Sequence, residues 1–128
     1  MFTNQTTRLL VAAGLGLVLL VLVWRSRTQV AEPRPDEDRF QQGKAALEKK
    51  DYDLAIKCFT EAIGLDPGNP DPYVYRGAAY DDAPIPDRDR AIADFTTAIE
   101  IQPDDGYNFY WRGRTHLDAK DHQAAIAD

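Results

Sequence analysis

The strongest restriction on the fold of this chain is an internal repeat with a period of 34 residues. Three segments align with one another, and they begin at Gly43, Gly77 and Gly113. Equivalent residues of the first two segments lie 34 or 36 positions apart, and the pairs are Gly43 and Gly77, Ala55 and Ala91, Phe59 and Phe95, Ala62 and Ala98, and Pro67 and Pro103. A two-residue insertion between Gly77 and Ala91, within the stretch 83–86, explains the longer interval. The chain is therefore predicted to stack similar units.

Each unit has the hydrophobic pattern of two helices. The apolar stripe of the second helix in the first unit consists of Ala55, Ile56, Phe59, Ala62 and Ile63. Spacings of one, four, seven and eight residues belong to one face of a helix and do not fit a strand. We expect Asp51, Asp87 and Asp121 to cap the starts of these second helices, and Pro67 and Pro103 to end the first two of them.

The repeat resembles the tetratricopeptide repeat (TPR), whose pattern has Gly at position 8, Ala at 20 and 27, an aromatic residue at 24 and Pro at 32. Repeat 1 is 36–69, repeat 2 is 70–105, and a partial repeat 3 is 106–128. Departures at the usual tryptophan and tyrosine positions are Arg39, Tyr73, Phe109, Ala46 and His116. The resemblance implies an all-α solenoid of TPR helical hairpins, with two full repeats and a truncated third. Gly43 and Gly77 would let paired helices approach closely.

TPR proteins usually bind an extended peptide or a helix in a concave groove lined by the first helix of each repeat. The groove-facing positions hold Glu37, Phe40, Gln41, Lys44, Leu47, Asp71, Val74, Tyr75, Ala78, Asp81, Tyr107, Tyr110, Trp111, Arg114 and Leu117. Aromatic residues and arginine are the usual anchors of an interface. The candidate partner-binding residues are therefore Phe40, Lys44, Tyr75, Tyr107, Tyr110, Trp111 and Arg114. In an alternative interpretation, some of these rings only pack between repeats.

One TPR subfamily grips the terminal carboxylate of chaperones with lysine, asparagine and arginine side chains at five groove positions. Here these positions hold Phe40, Lys44, Tyr75, Tyr107 and Trp111. The clamp is absent, so the resemblance implies a protein or peptide partner without implying chaperone tails.

Residues 9–24 form a run of sixteen residues without a charged side chain, between a short tail, 1–8, and a proline-containing linker, 25–35. As a helix this run would span roughly 24 Å, close to the ~30 Å of a hydrocarbon core. We therefore expect a single transmembrane helix as an N-terminal anchor. A cleaved signal peptide, which would release a soluble secreted or periplasmic adaptor, is the alternative, although no A-x-A-like site follows the run. The arginines after the run outnumber Arg8 before it, which favours a cytoplasmic repeat domain.

Charge and composition argue against other classes of function. Residues 36–128 hold 20 acidic and 11 basic side chains, a net charge of −9, which disfavours nucleic acid as a partner. Cys58, the only cysteine, cannot form an intrachain disulfide. His116 and His122 are six residues apart, the wrong interval for two ligands on one helical face. We predict no catalytic residue, no cofactor and no metal site, which leaves an enzymatic or metal-binding role as a distant alternative.

The carboxylates around the insertion are Asp81, Asp82, Asp87 and Asp89. Their spacing does not fit a calcium-binding EF-hand loop, so we expect them to be solvated loop charges.

The third repeat stops at Asp128, within a second helix of about two turns. Repeat arrays usually need a terminal cap. We therefore expect a partner or a second copy to cover this end, with self-association as one outcome, or the sequence to be a fragment of a longer array.

Overall fold

The computed structural model describes residues 32, 34–120 and 122–128, and for His122 and Gln123 it describes the backbone alone. These residues form six helices and no strand: α1 Pro35–Glu48, α2 Tyr52–Leu65, α3 Asp71–Asp82, α4 Arg88–Ile101, α5 Gly106–Asp118 and α6 His122–Ala127. Each repeat supplies one pair of helices. The predicted all-α arrangement of helical hairpins is confirmed.

The predicted tail 1–8 and the predicted anchor 9–24 lie outside the described residues, as does most of the linker 25–35. Within the described part of the chain, no helix has both the length and the apolar character needed to cross a membrane. Helix α1 begins at Pro35, the last residue assigned to the linker. Proline is well tolerated at the first helical position, because the N–H group it lacks would have no partner there.

Aspartate side chains cap the second helices of repeats 1 and 2. The carboxylate of Asp51 accepts a hydrogen bond from the backbone N–H of Leu54 at 3.2 Å, and that of Asp87 accepts one from Arg90 at 3.1 Å. Both predicted caps are confirmed, while the third, Asp121, lies outside the described residues. Helices α2 and α4 each end two residues before the proline that was expected to stop them.

Consecutive helices pack against one another along the whole array. In addition, α1 contacts α3 and α3 contacts α5, whereas α2 and α4 do not meet. The first helices of the three repeats therefore form one continuous inner row, and their exposed side is the surface on which a groove was predicted.

The core is built from small residues of one helix packed on phenylalanine rings of the next. Phe59 and Phe95 are both fully buried. Buried residues around them are Phe40, Ala46, Ala55, Ala62 and Ala79 in one cluster, and Val74, Ala91 and Ala98 in the other. The Phe59 ring lies over Gly43 and the Phe95 ring over Gly77, which confirms the predicted close approach.

The insertion lies between α3 and α4 and changes the turn at that place. In repeats 1 and 3 the turn between the paired helices contains Lys50 and Lys120, whose φ angles are 58° and 64°. In repeat 2 the loop 83–87 replaces this left-handed turn. Its Ile85 is 89% exposed.

Helix α6, with six residues, is the shortest of the described helices. Its Ile126 is 85% exposed, whereas the equivalent Ile92 in repeat 2 is partly buried. Self-association through this end of the array stays a prediction.

Candidate protein-binding groove

A pocket of about 190 Å³ lies on the inner row of helices. It is lined by Leu47, Val74, Tyr75, Ala78, Asp82, Tyr107 and Trp111. Helices α1, α3 and α5 all contribute, so the pocket exists only because three repeats are stacked in register. We call this surface the aromatic groove.

Only some of the residues predicted to bind a partner line the pocket. Tyr75, Tyr107 and Trp111 were predicted as partner-binding residues, and all three line the pocket. Asp82 was not among the groove-facing positions, yet it lies seven residues after Tyr75 on α3 and so shares its face. That helical spacing is the signal by which Asp82 could have been found.

Phe40 and Tyr75 form an aromatic contact between repeats 1 and 2. Phe40 is only 9% exposed, and its ring meets that of Tyr75 edge to face, with centroids 5.2 Å apart. Tyr75 also lies 5.8 Å from the Phe59 ring. Phe40 therefore packs between repeats, whereas Tyr75 both packs on this cluster and lines the pocket.

Trp111 forms the opposite wall. Its ring stacks on Phe95 at 6.1 Å and makes edge contacts with Tyr107 at 5.7 Å and Tyr110 at 5.8 Å. Tyr107 is 55% exposed and Tyr110 61% exposed. These two tyrosines are the candidate rings with the most surface free for a partner.

Lys44 lies at the α1 edge of the aromatic groove. Its Nζ is 5.7 Å from the ring centroids of both Phe40 and Tyr75, a distance at which an ammonium is attracted to aromatic faces. Within the described residues Lys44 forms no ion pair. Its positive charge is available to a partner.

Arg114, predicted as a second cationic contact, is already engaged by the protein. Its guanidinium lies 4.5 Å from the Trp111 ring centroid. The same group donates a hydrogen bond to Asp82 at 2.8 Å and approaches Asp81 at 3.5 Å and Asp118 at 3.9 Å. Arg114 therefore holds the wall of the pocket in place, and its role as a contact for a partner stays a prediction.

Asp81 corrects one expectation about the insertion. Its side chain is 2% exposed and is held by Thr115, which donates a hydrogen bond at 3.2 Å, and by Arg88 at 3.6 Å. The expectation of a solvated loop charge is wrong for Asp81, because Thr115 on α5 and Arg88 at the start of α4 lie against its carboxylate. In the described part of the chain, no group of His, Cys, Asp or Glu has an arrangement that could hold a metal ion.

A hydrogen-bonded network that the sequence analysis did not predict joins three helices. Arg76 on α3 donates to both carboxylate oxygens of Asp94 on α4, at 2.8 and 2.7 Å, and to the hydroxyl of Thr60 on α2 at 3.0 Å. These bonds with Asp94 raise the pKa of Arg76. Arg112 repeats the arrangement with both carboxylate oxygens of Asp128 and with Thr96.

Cys58 lies at the repeat position that Asp94 occupies in repeat 2. It is a free cysteine and only 4% exposed, so its thiol is buried. Its place in the packed interface between helices fits a small hydrophobic residue.

Two family models match the chain. Residues 43–82 match the model described as "TPR repeat" and residues 87–128 the model described as "Tetratricopeptide repeat". Together they span the last six residues of α1 and all of the other five helices.

Curated relatives match over short segments. The "Protein STIP1 homolog" of Dictyostelium discoideum is 53% identical over 38 residues, which are 30% of this chain and 7% of that protein. The "Heat-shock protein cognate (HSC) co-chaperone sgt12" of Aspergillus fumigatus is 39% identical over 49 residues, 38% of this chain and 14% of that protein. The matches therefore span a small part of the length of either relative.

Solved structures match over most of the chain. The Arabidopsis OM64 TPR domain has a TM-score of 0.69 and 27% identity, with 73% of this chain and 75% of that chain covered. The TPR2B domain of yeast Sti1, solved in a complex described as "TPR2B-domain:pHsp70-complex", has the same TM-score and identity, with 73% of each chain covered. The repeat pattern, the stacked hairpins and these matches agree, and the chain belongs to the tetratricopeptide-repeat family.

Proposed function

We propose that this protein is an adaptor that binds an extended segment of another protein in the aromatic groove, without catalysis. The observation that carries the proposal is the pocket itself, which collects mostly apolar and aromatic side chains from three successive first helices. Tyr107 and Tyr110 leave more than half of their surface exposed beside it. Aromatic side chains around a pocket are the usual energetic anchors of a protein interface.

The relatives support a protein partner as the occupant. One is described as a co-chaperone, and the Sti1 domain was solved in a complex described as "pHsp70-complex". The residues that would clamp a terminal carboxylate are nevertheless missing here, since aromatic rings occupy four of the five positions and Lys44 the other. We therefore propose that this groove binds a peptide of a different class, through contacts with its side chains.

A photo-crosslinking experiment tests the groove. A photoreactive phenylalanine analogue replaces Tyr110 in the full chain, and in the control it replaces Leu54, which is 47% exposed on the outer helix α2. We expect crosslinked adducts of discrete mass between this protein and a partner protein from position 110 only. Tyr107→Ala should reduce the yield of these adducts about tenfold, as removal of an interface anchor does. Equal adducts from both positions, or adducts that persist in Tyr107→Ala, would contradict the proposal.

Tyr107 is a better probe of the groove than Tyr75 or Trp111. The latter two rings pack on buried phenylalanines, so their removal would also weaken the fold. Tyr107 is half exposed, and its loss leaves the packing of Phe59 and Phe95 untouched. A circular dichroism melt of Tyr107→Ala should therefore match that of the unsubstituted protein.

We further propose that residues 9–24 tether this domain to a membrane. The support is the uncharged run of sixteen residues with Arg8 before it and Arg25 after it. Alkaline extraction should leave the full chain in the membrane fraction, and mass spectrometry of the mature protein should find its N-terminal residues intact. A mature chain that begins after residue 24 would instead favour a released, soluble adaptor.

A further inference from the structure

We propose that the segment bound in the aromatic groove is an internal stretch of a partner protein in which an apolar anchor is flanked by one acidic and one basic side chain, about three residues apart. The inference rests on the proposed function and names the chemistry of its partner. It is carried by the size of the pocket and by two unlike charges at its edges.

The pocket accepts a single apolar side chain. Its volume of about 190 Å³ is below the roughly 300–1,000 Å³ of sites that enclose whole small molecules. Leu47, Val74 and Ala78 line it together with three aromatic residues, and Asp82 is the only charged residue in the lining. A leucine-sized or phenylalanine-sized side chain would meet a lining in which most residues are apolar or aromatic.

The α1 edge is positive. Lys44 lies three residues before Leu47, which lines the pocket, so both residues point to the same side of α1. The rings of Phe40 and Tyr75 hold the ammonium at this edge, at 5.7 Å from each centroid. No carboxylate of the described residues pairs with it, so an acidic side chain of the partner can do so.

The α3 edge is negative. Three carboxylates, those of Asp81, Asp82 and Asp118, surround Arg114, and among the described residues Arg88 is the only other guanidinium that pairs with any of them. Three negative charges against two positive charges leave one net negative charge at this edge. The Asp82 side chain is 47% exposed and lines the pocket, so a basic side chain of the partner can reach it.

The helix sets the distance between the two edges. Lys44 sits over Tyr75, and Asp82 lies seven residues further along α3, which is about 10 Å at 1.5 Å per residue. An extended peptide covers that distance in about three residues at about 3.3 Å each. A terminal carboxylate seated beside Asp82 would instead be repelled.

Two displayed peptide libraries test this pattern. Both are selected on the full chain in mild detergent, one with random internal segments and the other with free C-termini. In the internal library we expect selection to enrich peptides that have an apolar residue between an acidic and a basic residue. This enrichment should be lost when the selection is repeated on Tyr107→Ala. Enriched peptides that need Tyr107 but lack the charge pair, or that come only from the free C-termini, would overturn the inference and leave the proposed function standing. If the same peptides are enriched on Tyr107→Ala, or if no peptide is enriched, both the inference and the proposed function are overturned.

A double-mutant cycle on one enriched peptide assigns the charges. Lys44→Ala should weaken binding about fivefold, and it should have no effect on a peptide whose acidic residue is changed to glutamine. Asp82→Asn should behave in the same way toward the basic residue. Lys57→Ala, which removes an exposed lysine from the outer helix α2, should leave both affinities unchanged. If the effects of the protein and peptide substitutions on binding affinity simply add, neither contact exists.

Discussion

At the scale of single residues, the tightest requirement in this fold is the contact between a glycine and the edge of a phenylalanine ring. A Cβ atom built on Gly43 would lie 2.5 Å from Cε1 of Phe59, and one on Gly77 would lie 2.8 Å from the Phe95 ring and 3.2 Å from the carbonyl oxygen of Ala91. Neither ring can move away, because both are fully buried. Any side chain at these two positions must therefore push the paired helices apart.

Overpacking a core usually costs about 1–3 kcal/mol, whereas replacing glycine by alanine in a helix interior usually gains about 1 kcal/mol. At Gly77 we expect the cost to be larger than the gain, so Gly77→Ala should lower the free energy of unfolding. Gly64→Ala is the matched control, since a Cβ at Gly64 in α2 meets nothing within 4 Å and the same substitution there should stabilise. Urea denaturation of both variants shows whether each substitution lowers or raises the free energy of unfolding. Stabilisation by Gly77→Ala would contradict the role given to the glycine.

The glycine contact was predictable from the sequence because Gly43, Gly77, Phe59 and Phe95 recur at fixed intervals. The burial of Asp81 was not predictable in this way. It depends on contacts of its carboxylate with Thr115 on α5 and with Arg88 at the start of α4, which only the folded array brings together. The engagement of Arg114 by Asp81 and Asp82 likewise follows from the contact between α3 and α5.

At the scale of helices, the arginine network fixes how one repeat sits on the next. Arg76 connects its own helix α3 to Asp94 on α4 and to Thr60 on α2 of the preceding repeat. The raised pKa of Arg76 means that folding favours its charged form. This contribution is complete below the ordinary pKa of arginine and is lost only in strong alkali. The charge on Arg76 is therefore not lost from the network below strongly alkaline pH.

Asp94→Ala should lower the free energy of unfolding by about 2–4 kcal/mol, because it leaves a partly buried guanidinium without its carboxylate. The side chains of Arg76 and Asp94 are only 18% and 9% exposed. Arg90→Ala is the comparison, since Arg90 and Asp87 form an ion pair that is 69% and 43% exposed and should contribute less than about 1 kcal/mol. Chemical denaturation of the two variants gives the difference. Equal losses would mean that the buried pair has no special role.

The sequence does contain a signal for this network, although it is readable only with the structure in hand. The arginines 76 and 112 are 36 residues apart, as are the threonines 60 and 96, and the aspartates 94 and 128 are 34 apart. Polar residues that recur with the period of the apolar ones are candidates for contacts between repeats. Repeat 1 has Cys58 at the aspartate position, so the pattern is present only twice and is easily missed.

At the scale of the whole molecule, stability should decrease along the array toward α6. Each helix packs mainly on its neighbours in sequence, so local stability depends on the quality of adjacent interfaces. Repeats 1 and 2 each bury a complete phenylalanine side chain. A Cβ atom built on Gly113 would have its nearest neighbour, Cβ of Asp128, at 3.4 Å, compared with 2.5 Å at Gly43 and 2.8 Å at Gly77. The helices of the third repeat are therefore packed less tightly than those of the first two.

Native-state hydrogen exchange should reveal this gradient, with slow exchange in α2 and α4 and faster exchange in α6. Asp128→Asn removes the charge that Arg112 binds, and it should speed exchange in α5 and α6 while leaving α2 unchanged, because α2 contacts neither helix. Asp104→Asn, a change at an exposed residue of a loop, is the control and should alter no helix. Faster exchange in all helices of Asp128→Asn would mean that the array opens as one unit, and equal protection of α2 and α6 in the unsubstituted chain would contradict the gradient itself.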